Sequence, residues 1–268
     1  MRLFFAAFAL MWSATVALAN AQVSIALDRL RVADMIEIMR IEGAEYAEDL
    51  NTDLLNGQGG GLWLEQTQGI YDPHRMLETV RAAFADMSDV HLRQINLFFG
   101  SQLGADVIEL ELAGRRAMMD ETIEDLAQEA YAQAVAEGDD RVVPLQTLVE
   151  AGDMIERNVT GALTANYRFY LGMVEGGAFD MTEDEILAEA WAQEPEIRTE
   201  TESWLMGYLM LSYQPLDAAD FDTYVAFTQT PAGRALNAAI FQGFNAMYAD
   251  ISYALGRSVA LNMGGSDL

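Results

Sequence analysis

Apolar residues recur at three- and four-residue intervals along nearly the whole chain, the spacing that places side chains on one face of an α-helix. One such face carries Leu27, Leu30, Met35, Met39 and Ala47, and similar faces follow it to the C-terminal region. No stretch sustains the alternation of apolar and polar residues that a half-buried strand requires. The pattern therefore predicts an all-α fold, a helical bundle.

The most motif-like stretch is residues 221–236, FDTYVAFTQTPAGRAL. Thr230 can cap a helix by accepting a hydrogen bond from a free amide, and Pro231 suits the first helical position because it has no N–H there. Gly233 lies in the same turn, where a residue without a side chain lets another backbone approach closely. We therefore expect a helix to begin at Pro231, and a Gly233→Leu substitution to loosen the domain.

A weaker copy of this stretch lies at residues 91–108, at a constant offset of 129 residues. The pairs at that offset are Phe98 with Phe227, Ser101 with Thr230, and Gly104 with Gly233. Residues 34–37 and 153–156 also share the sequence Asp-Met-Ile-Glu, at an offset of 119 residues. These echoes predict two pseudo-repeats in one compact domain, at residues 22–140 and 141–268. Each would be a helical hairpin followed by a long helix, which in the first repeat runs from Ser101 to Glu137.

Residues 1–21 have the features of a secretory signal peptide. Arg2 precedes an apolar run at residues 3–18, and small residues permit cleavage after Ala19 or Ala21. The alternative is an uncleaved anchor, but the run is shorter than the roughly 20 residues that a spanning helix needs. We therefore expect a periplasmic protein with no stable membrane insertion after cleavage.

The composition excludes several classes of function. The net charge is −27, with 42 acidic residues against 15 basic ones, all of them arginine. Such a surface repels phosphate backbones, so we expect no nucleic-acid partner. The chain has no cysteine, which removes disulfides, thiolate chemistry and a lipid-bearing cysteine.

No constellation of residues in the sequence points clearly to catalysis or to a metal. His74 and His91 are the only histidines, and no zinc-binding spacing surrounds them. Acid–base pairs for glycan cleavage are conceivable at Glu109 and Glu111, or among Asp120, Glu121, Glu124 and Asp125. Such pairs arise by chance among 42 acidic residues, and nothing in the sequence isolates a carboxylate in an apolar setting. We expect Glu121 and Asp125 to form a solvated face near Arg115 and Arg116.

A calcium site is the remaining inorganic alternative. Residues 175–202 contain ten acidic residues and one arginine, but they lack the loop pattern of a calcium-binding hand. A solvated acidic face is the favoured interpretation, and we expect no cofactor.

Aromatic residues concentrate in the second half, and the chain contains 15 methionines. The set comprises Tyr167, Phe169, Tyr170, Trp191, Trp204, Tyr208, Phe241, Phe244 and Tyr248. Most should pack in the core between helices. Some could instead line a groove between the two halves, which methionine would make adaptable.

Phe-x-x-Thr-Pro-x-Gly at residues 227–233 resembles the FYxSPxG signature of an exported proteobacterial family, domain of unknown function 2059. Residues 158–162 (NVTGA), 204–205 (WL) and 233–237 (GRALN) resemble its alphaproteobacterial members. The first half matches less well, since Gln102-Leu103 replaces the Ser-Pro type of step. The resemblance implies a helical fold and export, and it supplies no catalytic residues.

The leading hypothesis is therefore a non-enzymatic envelope protein that binds a protein or a hydrophobic ligand in the groove between its halves. The alternatives are a carboxylate-dependent glycan hydrolase and an acidic calcium-binding module.

Overall fold

The computed structural model describes residues 20–265, and within that range it contains α-helices and no β-strands. In chain order the helices are α1 (residues 20–29), α2 (Val32–Leu55), α3 (Gly60–Ile70), α4 (Pro73–Ala82), α5 (Asp89–Phe99), α6 (Gln102–Ala117), α7 (Glu121–Glu137), α8 (Val142–Gly152), α9 (Met154–Glu175), α10 (Glu183–Ala192), α11 (Glu194–Tyr213), α12 (Ala218–Thr228) and α13 (Pro231–Gly265). The predicted all-α fold is confirmed.

The predicted signal peptide lies almost wholly outside the described residues, which include only positions 20 and 21 of it. Within residues 20–265, no helix is both long enough and apolar enough to cross a membrane.

Several helices begin where a capping side chain predicts a start. Asp72 accepts a hydrogen bond from the amide of Arg75 at 2.9 Å, just before Pro73 opens α4. Thr182 and Glu185 form the reciprocal capping box expected from their spacing, and α10 follows. These side chains satisfy amides that have no partner within the helix, so the local sequence alone fixes where the helix begins.

The prediction of a single long helix from Ser101 to Glu137 is wrong. Helix α6 ends at Ala117 and α7 begins at Glu121. Asp120 has an extended backbone, and its carboxylate accepts a hydrogen bond from the amide of Thr122 at 2.9 Å. The break arises because Asp120 caps a new helix instead of continuing the old one.

Two further breaks occur at residues with a left-handed backbone, Arg31 (φ 49°) and Asp153 (φ 51°). Arg31 is held by Asp34, with a 2.5 Å contact from its Nε to the carboxylate, and by Glu109. The matching Asp-Met-Ile-Glu segments do not occupy equivalent positions: Asp153 is itself the left-handed residue, whereas Asp34 lies in the first turn of α2. The division of the chain into two pseudo-repeats stays a prediction.

Helix α13 is the central element. It packs along α9 and also against α2, α3, α4 and α5, so the first and second halves share one core. The approach to α9 is backbone to backbone: a Cβ at Gly256 would lie 2.1 Å from the carbonyl oxygen of Phe169, and one at Gly172 would lie 2.3 Å from that of Tyr253. Only glycine permits this spacing without a shift of one helix.

Candidate functional site

The residues of the sequence motif form two matching helix corners. At the start of α6, Ser101 Oγ accepts from the amide of Gly104 at 3.1 Å and donates to the carbonyl oxygen of Phe98 at 2.6 Å. At the start of α13, Thr230 Oγ1 accepts from the amide of Gly233 at 3.0 Å and donates to the carbonyl oxygen of Phe227 at 2.7 Å. Pro231 is the first residue of α13.

Both corners need glycine for the same reason. A Cβ at Gly104 would lie 2.3 Å from the carbonyl oxygen of Phe98, and a Cβ at Gly233 would lie 2.3 Å from that of Phe227. The rings of Phe98 and Phe227 stack on each other, with centroids 4.0 Å apart and planes 12° apart. The hydroxyls and amides of the motif are therefore used within the corners, and the candidate ligand site lies elsewhere.

An open groove of about 1000 Å³ lies between α2, α6, α7, α9, α11 and α13. Nine of its 21 lining residues have large apolar or aromatic side chains: Met35, Met39, Trp204, Leu205, Tyr208, Ile240, Phe241, Phe244 and Tyr248. On α9 the lining residues are small, and Gly161, Ala162 and Ala165 leave the space open. All of these residues except Leu205 are half-buried, so their side chains remain accessible from the groove.

An ion pair holds one wall of the groove. Arg115 donates from Nε and Nη2 to the two carboxylate oxygens of Glu42, at 2.8 and 2.7 Å. Its guanidinium lies 4.8 Å from the ring centroid of Trp204, and Trp204 in turn stacks on Tyr208 at 5.1 Å. Glu121 and Asp125 are exposed, as expected of a solvated face, whereas Arg115 forms its ion pair with Glu42.

Two further carboxylates belong to the lining. Glu124 accepts a hydrogen bond from Gln128 Nε2 at 3.0 Å, and Gln128 Oε1 accepts from Ser203 at 2.6 Å. Glu200 is exposed at the rim. Neither carboxylate forms an ion pair with an arginine of the described chain.

Beside the groove, a tyrosine cluster surrounds Glu111. The hydroxyls of Tyr213 and Tyr224 donate to Glu111 Oε1 at 2.6 and 3.0 Å, and the hydroxyl of Tyr208 donates to the Glu111 carbonyl oxygen at 3.0 Å. Burial raises the pKa of the Glu111 carboxyl, although the tyrosine hydrogen bonds act in the opposite direction. Burial and the neighbouring carboxylate also raise the pKa of Tyr213 and of Tyr224, which keeps both hydroxyls as donors.

Glu111 overturns the expectation that no carboxylate is isolated in an apolar setting. It does not form the suggested pair with Glu109, which is exposed and bonded to Arg31. A signal was present in the sequence: Glu111 follows the buried residues Gly104, Val107 and Ile108 at intervals of three or four residues, which places it on the buried face of α6.

The other candidate residues occupy ordinary positions. His74 and His91 lie in the first turns of α4 and α5, and the amide of His91 donates to the capping Ser88 at 3.2 Å. In the acidic stretch 175–202, Glu185 serves the capping box and Glu194 pairs with Arg198 at 2.7 Å. Among residues 20–265, no group of three or more histidine, aspartate or glutamate side chains is placed to hold a metal ion.

The aromatic set divides between the groove and other places. Trp204, Tyr208, Phe241, Phe244 and Tyr248 line the groove, together with two methionines of α2. Tyr167, Phe169 and Tyr170 are half-buried outside it, and Trp191 is 59% exposed on α10.

Comparisons with protein-family models, curated proteins and solved structures found no match to this chain. The functional argument therefore rests on the groove and on the residues that form it.

Proposed function

We propose that this is an exported, non-enzymatic binding protein whose groove holds a hydrophobic small molecule. The observation that carries the proposal is the half-buried lining of aromatic and methionine side chains around a space of about 1000 Å³. Protein interiors are otherwise packed nearly without voids, and apolar surface left facing water costs free energy. A ligand with an apolar body would cover that surface.

The size and chemistry of the groove support a small molecule over a protein partner. Ligand pockets span about 300–1000 Å³ and combine apolar walls with a few polar groups. Here aromatic rings and methionines are combined with polar groups, which are Arg115, Glu124, Gln128, Asn158, Thr199, Glu200, Thr201, Ser203 and Asn245. An open groove of this size can cover the apolar body of a small ligand, whereas a stable protein–protein interface usually buries about 1200–2000 Å² in total.

The hydrolase alternative receives less support from the geometry. Glu111 has the raised pKa of a general acid, but its Oε1 accepts two tyrosine hydrogen bonds, and Glu111 does not line the groove. In the described chain no group of three or more carboxylates is placed to hold a metal ion, so the geometry gives the calcium alternative no support.

Blocking the groove tests the proposal. Ala165 is a half-buried lining residue of α9, so Ala165→Phe would place a ring in the groove, and Ala136→Phe makes the same change on the exposed surface of α7. We expect the neutral dye Nile red to bind the wild type saturably at one site. The Ala136→Phe variant should bind the dye with the same affinity, and the Ala165→Phe variant should bind it at least about tenfold more weakly. Equal binding by a folded Ala165→Phe variant would contradict the proposal, as would failure of the wild type to bind.

The proposal of export rests on the signal-like residues 1–21 and on the resemblance to the exported family 2059. N-terminal sequencing of the protein from a periplasmic fraction tests whether the chain is exported and cleaved. We expect a chain that begins at Asn20 or Gln22, and a membrane-bound chain that keeps residues 1–19 would refute export with cleavage.

A further inference from the structure

The groove lining contains more negative than positive groups. Its charged residues are Arg115, Glu124 and Glu200. The charge of Arg115 is already balanced by the two-point ion pair with Glu42, so the lining presents two carboxylates without a compensating cation. The groove therefore has an excess of negative charge, in a chain whose net charge is −27.

Arg115 is the only arginine among the residues that line the groove, and neither Arg198 nor Arg157, each next to a lining residue in sequence, belongs to the lining. Arg198 is bonded to both Glu156 and Glu194. Arg157 lies on α9, 5.8 Å from the ring centroid of Phe241, and does not itself line the groove. Glu124 on α7, although it accepts a hydrogen bond from Gln128, and Glu200 on α11 thus form no ion pair with an arginine of the described chain.

We infer that the groove selects a cationic amphiphile, a small molecule with a positively charged nitrogen on an apolar body. This inference rests on the proposed function and specifies its ligand class. The nitrogen lies against Glu124 and Glu200, and the apolar body lies among Trp204, Tyr208 and Phe244. Opposite charge in a half-buried site favours the cation, and aromatic faces attract cations as well. An anionic amphiphile meets repulsion both at the rim and from the whole protein.

Three ligands with the same ten-carbon chain separate charge from apolar contact. Calorimetry with decyltrimethylammonium, decanol and decanoate, each below its micelle concentration, is expected to give affinities that fall in that order. Raising the salt concentration is expected to weaken only the binding of the cation. Decanoate binding as tightly as decyltrimethylammonium, or more tightly, would overturn the inference while leaving the proposed function standing. If neither these ligands nor Nile red binds, the proposed function itself fails.

Matched substitutions localise the charge effect. We expect Glu124→Gln and Glu200→Gln each to weaken decyltrimethylammonium binding by about two- to fivefold, the range for partly exposed ion pairs, and to leave decanol binding unchanged. Glu129→Gln removes one charge from an exposed position of α7 outside the groove, and it should leave all three affinities unchanged. An equal loss in Glu129→Gln would assign the preference to net charge and refute a cation site in the groove.

Discussion

Replacing Glu111 tests whether the tyrosine cluster needs its acceptor. In Glu111→Gln the amide oxygen can still accept from Tyr213 and Tyr224, whereas in Glu111→Leu both hydroxyls lose that acceptor. These tyrosines are 3% and 8% exposed, so water does not readily replace the lost bonds. An unsatisfied buried donor costs about 1–3 kcal/mol. Because two donors are orphaned, we expect Glu111→Leu to be less stable than Glu111→Gln by about 2–6 kcal/mol.

The comparison of Glu111→Gln with the wild type depends on pH. Burial raises the pKa of Glu111, so the folded protein retains this proton at pH values where the unfolded chain has released it. The contribution to stability is complete below the unfolded pKa, about 4.3 for glutamate, and is lost as pH rises through the folded pKa. Glutamine carries no such proton. We expect the two proteins to be similarly stable near pH 4, and Glu111→Gln to become the more stable at higher pH.

Urea unfolding followed by far-ultraviolet circular dichroism, repeated between pH 4 and pH 8, measures both differences. The other carboxylates titrate in every variant, so only differences between variants are interpreted. Adding Tyr213→Phe and Tyr224→Phe to Glu111→Leu removes the orphaned hydroxyls and is expected to recover most of the loss. The reasoning would be refuted if Glu111→Leu unfolded at the same urea concentration as Glu111→Gln.

The two corners give further tests. Gly233→Ala and Gly104→Ala each force a Cβ to within 2.3 Å of a carbonyl oxygen, so we expect each to lower the free energy of unfolding by about 1–3 kcal/mol. The control is Gly61→Ala, whose Cβ would lie in open space on α3. In the same urea assay this control should not lower the free energy of unfolding. For the stacked rings, a double-mutant cycle of Phe98→Leu and Phe227→Leu is expected to give a coupling of about 0.5–1.5 kcal/mol, and a coupling near zero would show that the stack adds nothing beyond burial.

The features that the sequence predicted well depend on neighbouring residues alone. The capping hydroxyl of Thr230, the position of Pro231 and the small size of Gly233 act within one helical turn, and the structure places that turn where the sequence puts it. Capping at Asp72 and Thr182 has the same local origin. Such contacts can be read without knowledge of the fold, because the partner lies within three residues.

Sequence and structure differ where a local signal competes with a longer pattern. The apolar spacing through Met119, Ile123 and Leu126 suggested one helix, yet Leu126 is 56% exposed and Asp120 caps a new helix. Proximity in sequence pairs Glu111 with Glu109, although residues two positions apart in a helix point in different directions. Its actual partners, Tyr213 and Tyr224, lie 102 and 113 residues away, so no local pattern could reveal them.

A series of contacts across the two halves keeps the groove wall in place. Glu42 on α2 holds Arg115 on α6, Arg115 lies over Trp204 on α11, and Trp204 stacks on Tyr208. Tyr208 then returns to α6 through its hydrogen bond to the carbonyl oxygen of Glu111. Because each ring is fixed by a polar contact at its edge or face, a ligand does not have to order this wall when it binds. Such preorganisation reduces the entropic cost of association, so a small molecule with few polar contacts can still bind here with useful affinity.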